Sequence, residues 1–316
     1  MGITLLDVLV ILLILIIIAA LVVYFIYRAY VRKIQDSYII SQKQYCQTTP
    51  EPTYRGEVFI PSTLYYDHDL AISLIDICFA TSLYNCSIYG RNIDIVTDHP
   101  PGLPEVTILS GIDPGDNQQR MIAIGYYNPN TQIGILAFGG TFTLGEWKDD
   151  FTYGQVVPTS LSGYNSNMLV HKGFYGLYTA VQDKVRQWIN QRTFQCLFIT
   201  GHSLGGALSE ICDFDVINFA SSTQAKVDRF VTYSFAAPRP GNIAFSDGIN
   251  LSTPYLQRVA NVEDAIPDLP PPIFDGLIYN HPNTLVSFNV NLGTIQDNHI
   301  AAYKNYLPQS ACPEPC

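Results

Sequence analysis

Apolar residues run without a charge from Val8 to Tyr27. A helix of about 20 residues, rising 1.5 Å per residue, crosses a hydrocarbon core of about 30 Å. Residues 1–7 carry no Lys or Arg, and bulky residues follow the run where a signal-peptide cleavage site would need small ones. The pattern therefore predicts a retained N-terminal transmembrane helix, with Tyr24 and Tyr30 among the tyrosines at its C-terminal interface.

Downstream of this span, β-type runs alternate with longer segments whose apolar residues recur at helical spacing. Strands that alternate with helices form a mostly parallel central sheet with helices on both faces, so we predict an α/β fold. Asn128-Pro129-Asn130 is typical of a hairpin turn. The predicted strands are 120–127, 132–138, 196–200, 229–235, 255–262 and 284–290, and the predicted helices are 69–84, 173–191 and 204–219.

These segments predict four regions along the chain. Residues 1–30 form the transmembrane anchor, and the polar residues 31–54 form a juxtamembrane linker. Residues 55–310 form a single α/β domain, and residues 311–316 form a C-terminal tail.

The net negative charge of the chain argues against nucleic acid as a partner. Charged residues make up only 14% of the 316 residues, and the formal net charge is −10. Binding nucleic acid needs a basic face, so nucleic acid is not an expected partner. An acidic surface is also repelled by anionic headgroups, so the apolar anchor is expected to hold the protein at its membrane. The composition makes no prediction of oligomeric state.

A glycine-rich turn carries the candidate chemistry. Residues 196–200 read as a strand, Gly201-His202-Ser203-Leu204-Gly205 follows, and a helix begins at Leu204. A Gly-x-Ser-x-Gly pattern between a strand and a helix raises the serine hydroxyl above the sheet edge. It also puts the backbone N–H of Leu204 at a helix N-terminus, where a developing oxyanion is stabilised. We therefore predict that Ser203 is a nucleophile.

A serine nucleophile needs a histidine base, and a carboxylate that orients the histidine. On a sheet of this kind the expected chain order is Ser, then Asp or Glu, then His. The histidines after Ser203 are His281 and His299. Spacing does not choose among the acids that follow, which are Asp228, Asp247, Glu263, Asp264, Asp268, Asp275 and Asp297.

Four further blocks accompany the serine turn. Together with residues 201–208, they resemble the fungal-type class 3 (triacylglycerol) lipases, which have the α/β-hydrolase fold, and they occur in the family's order over roughly residues 70–305. The blocks are Phe138-Gly139-Gly140-Thr141, Val170-His171-Lys172-Gly173-Phe174, Phe235-Ala236-Ala237-Pro238-Arg239-Pro240-Gly241-Asn242, and residues 258–271, which read RVANVEDAIPDLPP.

The resemblance implies roles for particular residues. The family's catalytic acid falls on Asp264, and its histidine matches His299, with His281 as the alternative base. The second oxyanion-hole donor, beside Leu204, would be Thr141. A short amphipathic lid helix would follow Thr141 and include Leu144 and Trp147, although Gly145 weakens a helix there and Trp147 is equally compatible with core packing.

Cysteines and glycosylation sequons leave the topology open. Arg28, Arg32 and Lys33 follow the apolar run, which by the positive-inside rule favours a cytoplasmic catalytic domain. Sequons at Asn85 and Asn250 would be used only in a secretory compartment. Among the seven cysteines, Cys196 and Cys212 are expected to be buried thiols, Cys312 and Cys316 could pair, and no cluster predicts a metal or other cofactor.

The sequence therefore predicts a membrane-anchored serine lipase or esterase that acts on acylglycerol-type esters. A phospholipase on the same scaffold is one alternative, because fold and triad do not choose the headgroup. A catalytically silent lipid-binding membrane protein is another, and a broken triad would be its sign. The sequence shows no such break, because Ser203, Asp264 and His299 supply the serine, the acid and the histidine of the predicted triad.

Overall fold

The computed structural model describes residues 5–48, 52–62, 65–84, 86, 98–115, 117–140, 154–223, 225–253, 255–282 and 285–307. Helix α1 (Leu5–Thr48) contains the segment Val8–Tyr30, which is long and apolar enough to cross a membrane and is not buried. By length and composition this segment is a candidate membrane span or a signal sequence. Residues 31–48 of the predicted linker continue the same helix.

The elements that follow α1 alternate much as the sequence predicts. In chain order they are α2 (His68–Tyr84), β1 (Glu105–Ile112), β2 (Gln119–Asn128), β3 (Ile133–Phe138), β4 (Gln155–Val156), β5 (Val170–His171), α3 (Lys172–Asn190), β6 (Thr193–Phe194), β7 (Cys196–His202), α4 (Leu204–Ser222), β8 (Lys226–Val227), β9 (Phe230–Phe235), α5 (Ile243–Ser252), β10 (Leu256–Asn261), β11 (Ile273–Phe274), β12 (Leu277–Ile278), β13 (Leu285–Phe288) and a C-terminal π-helix (Asp297–Tyr306).

A seven-stranded sheet organises the domain, in the order β1-β2-β3-β7-β9-β10-β13. The pairs β1–β2 and β2–β3 are antiparallel, and every later pairing in the sheet is parallel. The mostly parallel sheet confirms the predicted fold class. The predicted hairpin turn at residues 128–130 joins β2 to β3.

Helices cover both faces of the sheet, because strand side chains alternate between two apolar layers. Ile135, Ala137 and Phe198 pack in one core with α2 and the π-helix. Leu136 and Phe138, which alternate with them along β3, pack in the other core with α3, α4 and α5. The sheet is therefore buried on both sides.

Strand β1 is an element that the sequence pattern does not predict. It pairs antiparallel with β2 at the outer edge of the sheet, with a register shift between Leu109 and Ser110. Only Leu109 and Gly111 of its eight residues are buried, so the strand has no regular alternation that periodicity could detect.

The residues of the predicted site lie at the carboxyl edge of the parallel strands. Strand β7 ends at His202, just before Ser203, and β10 ends at Asn261, three residues before Asp264. The π-helix that carries His299 follows β13 and contacts both β10 and α2. Ligands and catalytic groups of open α/β sheets collect at this edge.

Candidate active site

Ser203 lies in a strained turn between β7 and α4. Its φ of 61° and ψ of −126° put a non-glycine residue in a region that side chains rarely adopt. Its backbone N–H donates to the Phe235 carbonyl at 2.9 Å, which ties the turn to the end of β9. The geometry is that of a nucleophile elbow, with a buried Ser203 at the sheet edge.

The flanking glycines are required by close backbone contacts. A Cβ on Gly201 would lie 2.0 Å from the Gly205 carbonyl oxygen, and one on Gly205 would lie 2.4 Å from the Phe138 carbonyl oxygen. Helix α4 therefore approaches β3 and β7 more closely than any side chain at these two positions would permit.

Asp264 and His299, far apart in sequence, lie together. The His299 Nδ1–H donates to Asp264 Oδ2 at 2.8 Å, and both side chains are fully buried. A proton on Nδ1 leaves Nε2 as the acceptor of the neutral ring, which is the tautomer a general base needs. Because the His299 ring centroid is 4.6 Å from that of His202, His299 also lies beside the serine turn.

The Asp264 carboxylate has two further donors. The Tyr303 hydroxyl donates to Oδ2 at 3.0 Å, and the Ile266 backbone N–H donates to Oδ1 at 3.0 Å. The Asn261 N–H donates in turn to the Tyr303 hydroxyl oxygen at 2.8 Å. Sequence reasoning assigns no role to Tyr303, although its position four residues after His299 in a helix could have suggested a shared face.

His202 holds the backbone of His299, the candidate base. Its Nε2–H donates to the His299 carbonyl at 2.8 Å, and its ring packs between Phe79 and Tyr303. Burial lowers the pKa of His202 well below its ordinary value, so this imidazole stays neutral. This hydrogen bond connects the serine turn to the His299 backbone.

Two asparagines join the segments that carry Asp264 and His299. Asn261 Nδ2 donates to the Val290 carbonyl at 2.9 Å and to the Asn298 carbonyl at 3.1 Å. Asn298 Nδ2 donates back to the Glu263 carbonyl at 3.1 Å. These hydrogen bonds hold the Asp264 loop at a fixed distance from the π-helix.

Leu204 begins α4, so its N–H belongs to the first-turn amides that have no partner within the helix. This N–H is one candidate oxyanion donor. The other predicted donor, Thr141, and the predicted lid residues Leu144 and Trp147 lie outside the described residues. The last described residue before them, Gly140, donates its N–H to Ser82 Oγ at 3.4 Å.

His281, His171 and two of the other acids have contacts of a different kind. His281 Nε2 donates to the Pro267 carbonyl at 2.7 Å, and Asp268 lies 3.6 Å from Arg239 with its side chain 81% exposed. His171 caps α3 by accepting from the Phe174 N–H, and burial lowers the pKa of His171 to about 3. Glu263 accepts from Asn291 Nδ2 at 3.0 Å. The contacts of these side chains are structural.

Cysteines occur in two states among the described residues. Cys46 and Cys86 form a buried disulfide, which no sequence pattern indicated. Cys196 and Cys212 are buried free thiols, as expected, and Cys78 is a third. Cys312 and Cys316 lie outside the described residues. The same described residues contain no group of three or more His, Cys, Asp or Glu side chains that could hold a metal ion.

Comparison with known proteins gives one family. The family model for lipase (class 3) matches residues 135–274. A lipase from Rhizomucor miehei is 31% identical, over 44% of this chain and 38% of its own length. A secreted mono- and diacylglycerol lipase from Fusarium solani is 27% identical, over 54% of this chain and 50% of its own length.

Other similar proteins include a chloroplastic phospholipase A(1) from Arabidopsis thaliana, which is 28% identical over 43% of this chain and 33% of its own length. A crystal structure of a triacylglycerol lipase from Penicillium expansum is 20% identical, with 69% of this chain and 80% of that chain aligned and a TM-score of 0.47.

The chain spans only a third to a half of the length of the three relatives matched by sequence. Within that span the family match covers β3, the serine turn and the Asp264 loop. Residues 135–274 therefore match the class 3 lipase family, and the chain is similar to these lipases over that region.

Proposed function

We propose that this chain is a membrane-anchored serine lipase that hydrolyses acylglycerol-type carboxylic esters. The observation that carries the proposal is the buried Asp264–His299 pair beside Ser203, which sits in a positive-φ elbow. A serine hydroxyl becomes a useful nucleophile only when a base accepts its proton and a third group orients the base.

The reaction follows from this geometry. Ser203 Oγ attacks the ester carbonyl carbon while His299 Nε2 takes its proton, and the Leu204 N–H stabilises the oxyanion, with Thr141 as the proposed second donor. Collapse of the tetrahedral intermediate breaks the C–O bond, and the alcohol leaves with the proton held by His299. Water activated by His299 then hydrolyses the acyl-enzyme and releases the fatty acid.

Phospholipase activity on the same scaffold is the second candidate. It is supported by the similarity to proteins named phospholipase A(1) from Arabidopsis thaliana and from Oryza sativa. The chemistry at Ser203 would be unchanged, since only the group beyond the scissile ester differs.

The test is hydrolysis by the full chain in detergent, first of a soluble nitrophenyl ester and then of triacylglycerol, diacylglycerol and phospholipid. Ser203→Ala should lower the nitrophenyl rate by roughly 10⁴-fold or more. Ser221→Ala, an exposed serine on the same helix, is the matched control and should leave the rate unchanged.

Equal rates in the parent and Ser203→Ala would refute the mechanism. The absence of any ester hydrolysis in the parent would favour the silent lipid-binding alternative. Among active outcomes, the ratio of phospholipid to triacylglycerol turnover decides between the two candidate activities.

We also propose that α1 is a membrane anchor and that the α/β domain lies on an oxidising side of the membrane. The Cys46–Cys86 disulfide supports this side, because disulfides persist in secretory and extracellular compartments. The sequons at Asn85 and Asn250 agree with it. The basic residues after the span favour the opposite side, and a buried covalent bond outweighs a charge bias of three residues.

A further inference from the structure

Near the end of the candidate span, α1 contacts the domain through an aromatic pair. The Tyr27 and Phe274 ring centroids are 5.7 Å apart, which joins α1 to the hairpin formed by β11 and β12. Tyr27 lies three residues before the end of the candidate span at Tyr30, a distance of about 4.5 Å along the helix axis. The hairpin therefore lies beside the helix at the level where the span ends.

The two faces of this hairpin differ in exposure. Ile273 pairs directly with Ile278 and Phe274 pairs with Leu277, so each pair shares one face. Phe274 is only 4% exposed, whereas Ile273 is 74% and Ile278 is 49% exposed. Single exposed apolar side chains are ordinary, but this is a cross-strand isoleucine pair beside a candidate membrane span.

Hydrogen bonds hold the hairpin and the segment just before it. Arg239, which follows β9, donates through Nη1 to the Pro270 carbonyl at 2.6 Å and also to the Asp268 carbonyl. Gln155 Nε2 donates to the Ile278 carbonyl at 2.7 Å. The segment before the hairpin is thus bonded to the loop that follows β9, and the hairpin itself is bonded to β4.

We propose that the outer face of this hairpin, Ile273 and Ile278, contacts the headgroup region of the bilayer that α1 spans. The proposal rests on the membrane anchoring proposed above. Apolar side chains gain free energy when they enter the boundary between headgroups and acyl chains. The exposed Asp275 at the hairpin turn limits the depth of insertion, because a carboxylate stays hydrated.

The contact of the hairpin with the bilayer would also fix the orientation of the domain. The Cys46–Cys86 disulfide already joins the C-terminal part of α1 to the domain, and the hairpin would add a contact with the lipid itself. With the hairpin on the lipid surface, the domain would keep one orientation relative to the bilayer, and the Asp264 loop leads into the hairpin, because Asp264 lies nine residues before Ile273 in the chain. The bilayer itself is therefore the proposed partner of this surface.

Brominated-lipid quenching of tryptophan fluorescence tests the contact in the full chain. Ile278→Trp is compared with Leu285→Trp, each reconstituted in phosphatidylcholine vesicles with and without brominated acyl chains. Leu285 is a matched control, since it is 47% exposed on a strand but begins β13 at the opposite edge of the sheet. The emission of the two natural tryptophans is subtracted by using the parent chain.

The added emission of Ile278→Trp should be blue-shifted in vesicles and lost to brominated lipid, while that of Leu285→Trp should be unaffected. Quenching of neither or of both variants overturns the proposal. Carbonate extraction of the vesicles separates the two hypotheses, because release of the chain refutes the anchor and the contact together. Retention without quenching refutes the contact alone.

A second pair of variants tests whether the membrane contact affects hydrolysis of lipid substrates. Ile278→Asp should lower hydrolysis of ester lipid presented in vesicles and leave hydrolysis of a soluble nitrophenyl ester unchanged. Leu285→Asp should change neither rate. Equal effects of Ile278→Asp on both substrates would indicate a folding defect and contradict a role at the interface.

Discussion

Three hydrogen bonds converge on the Asp264 carboxylate, and the one from Tyr303 is the least expected from the sequence. Tyr303 shares Oδ2 with His299, so its hydroxyl fixes the oxygen that orients the base. Burial raises the pKa of Tyr303 well above its ordinary value, which keeps the phenol protonated as a donor. We regard Tyr303 as a positioning residue.

Tyr303→Phe tests this role. Loss of a hydrogen bond to a charged group costs about 1.5–3 kcal/mol, so kcat should fall by roughly 10- to 100-fold. KM for a soluble ester should stay unchanged, because the Tyr303 hydroxyl is buried against Asp264. Steady-state kinetics on nitrophenyl esters give both constants.

Tyr306→Phe, at the end of the same π-helix and 37% exposed, is the control and should retain parental kcat. A Tyr303→Phe enzyme with parental kcat would contradict the positioning role. A rise in KM with kcat intact would point to substrate binding instead.

Two buried carboxyls behind the serine turn should make stability depend on pH. Burial raises the pKa of Glu210 and of Asp213 to about 7 each. The charge of Arg258 lowers the pKa of Glu210, and hydrogen bonds from nearby hydroxyls lower both pKa values, so these effects offset part of the rise. The folded state then binds more protons than the unfolded state between about pH 4.5 and pH 7. Stability from these groups is fully present below that window and is lost as pH rises through 7.

Glu210→Gln removes one of these titrations while preserving shape, including an acceptor for the Ser234 hydroxyl. The fall in free energy of unfolding between pH 5.5 and pH 8 should be smaller in this variant than in the parent. Denaturant titrations at the two pH values measure it. An unchanged fall would mean that Glu210 is already ionised in the folded protein at pH 5.5.

At the scale of elements, the serine turn depends on how closely α4 approaches β3. Gly205→Ala should lower the free energy of unfolding by about 1–3 kcal/mol, because its Cβ would lie 2.4 Å from the Phe138 carbonyl oxygen. Activity should fall as well, since relief of the clash moves the helix that begins beside Ser203.

Chemical denaturation and nitrophenyl ester hydrolysis together check the Gly205→Ala effect. Ser221→Ala, a substitution on the exposed face of the same helix, should be neutral or slightly stabilising. If Gly205→Ala retained parental stability and activity, the close approach of α4 to β3 would not be required.

Local signals made most elements predictable. The strand, glycine turn and helix around Ser203 follow one another in the sequence, so periodicity and turn chemistry were enough. Strand β1 was missed because an edge strand with two buried residues has no regular pattern. The Tyr303 contact with Asp264 spans 39 residues and depends on a π-helix, which periodicity does not predict.

At the scale of the whole molecule, the Cys46–Cys86 disulfide connects the C-terminal part of α1 to the region just after α2. Pairing of two cysteines 40 residues apart is a property of the folded chain, and seven cysteines permit many pairings. Both sulfurs are buried in the core shared by α2 and the π-helix. The bond therefore links the proposed anchor to the catalytic domain.

Cys46→Ser combined with Cys86→Ser should lower the free energy of unfolding of the domain by about 4 kcal/mol, the chain-entropy value for a closed loop of this length. Thermal unfolding of the full chain in detergent, with and without reductant, measures the loss. The parent should lose stability on reduction, and the double variant should not respond.

The same bond decides the proposed side of the membrane. In cells, the parent blocked with a thiol reagent at lysis should migrate faster on a gel without reductant than with it, and the double variant should show no such shift. Cys196→Ser, which removes a buried free thiol, is the control and should keep the shift. A parent chain whose Cys46 and Cys86 are both alkylated at lysis would place the domain in a reducing compartment, because a buried disulfide formed in an oxidising one would be protected from the reagent.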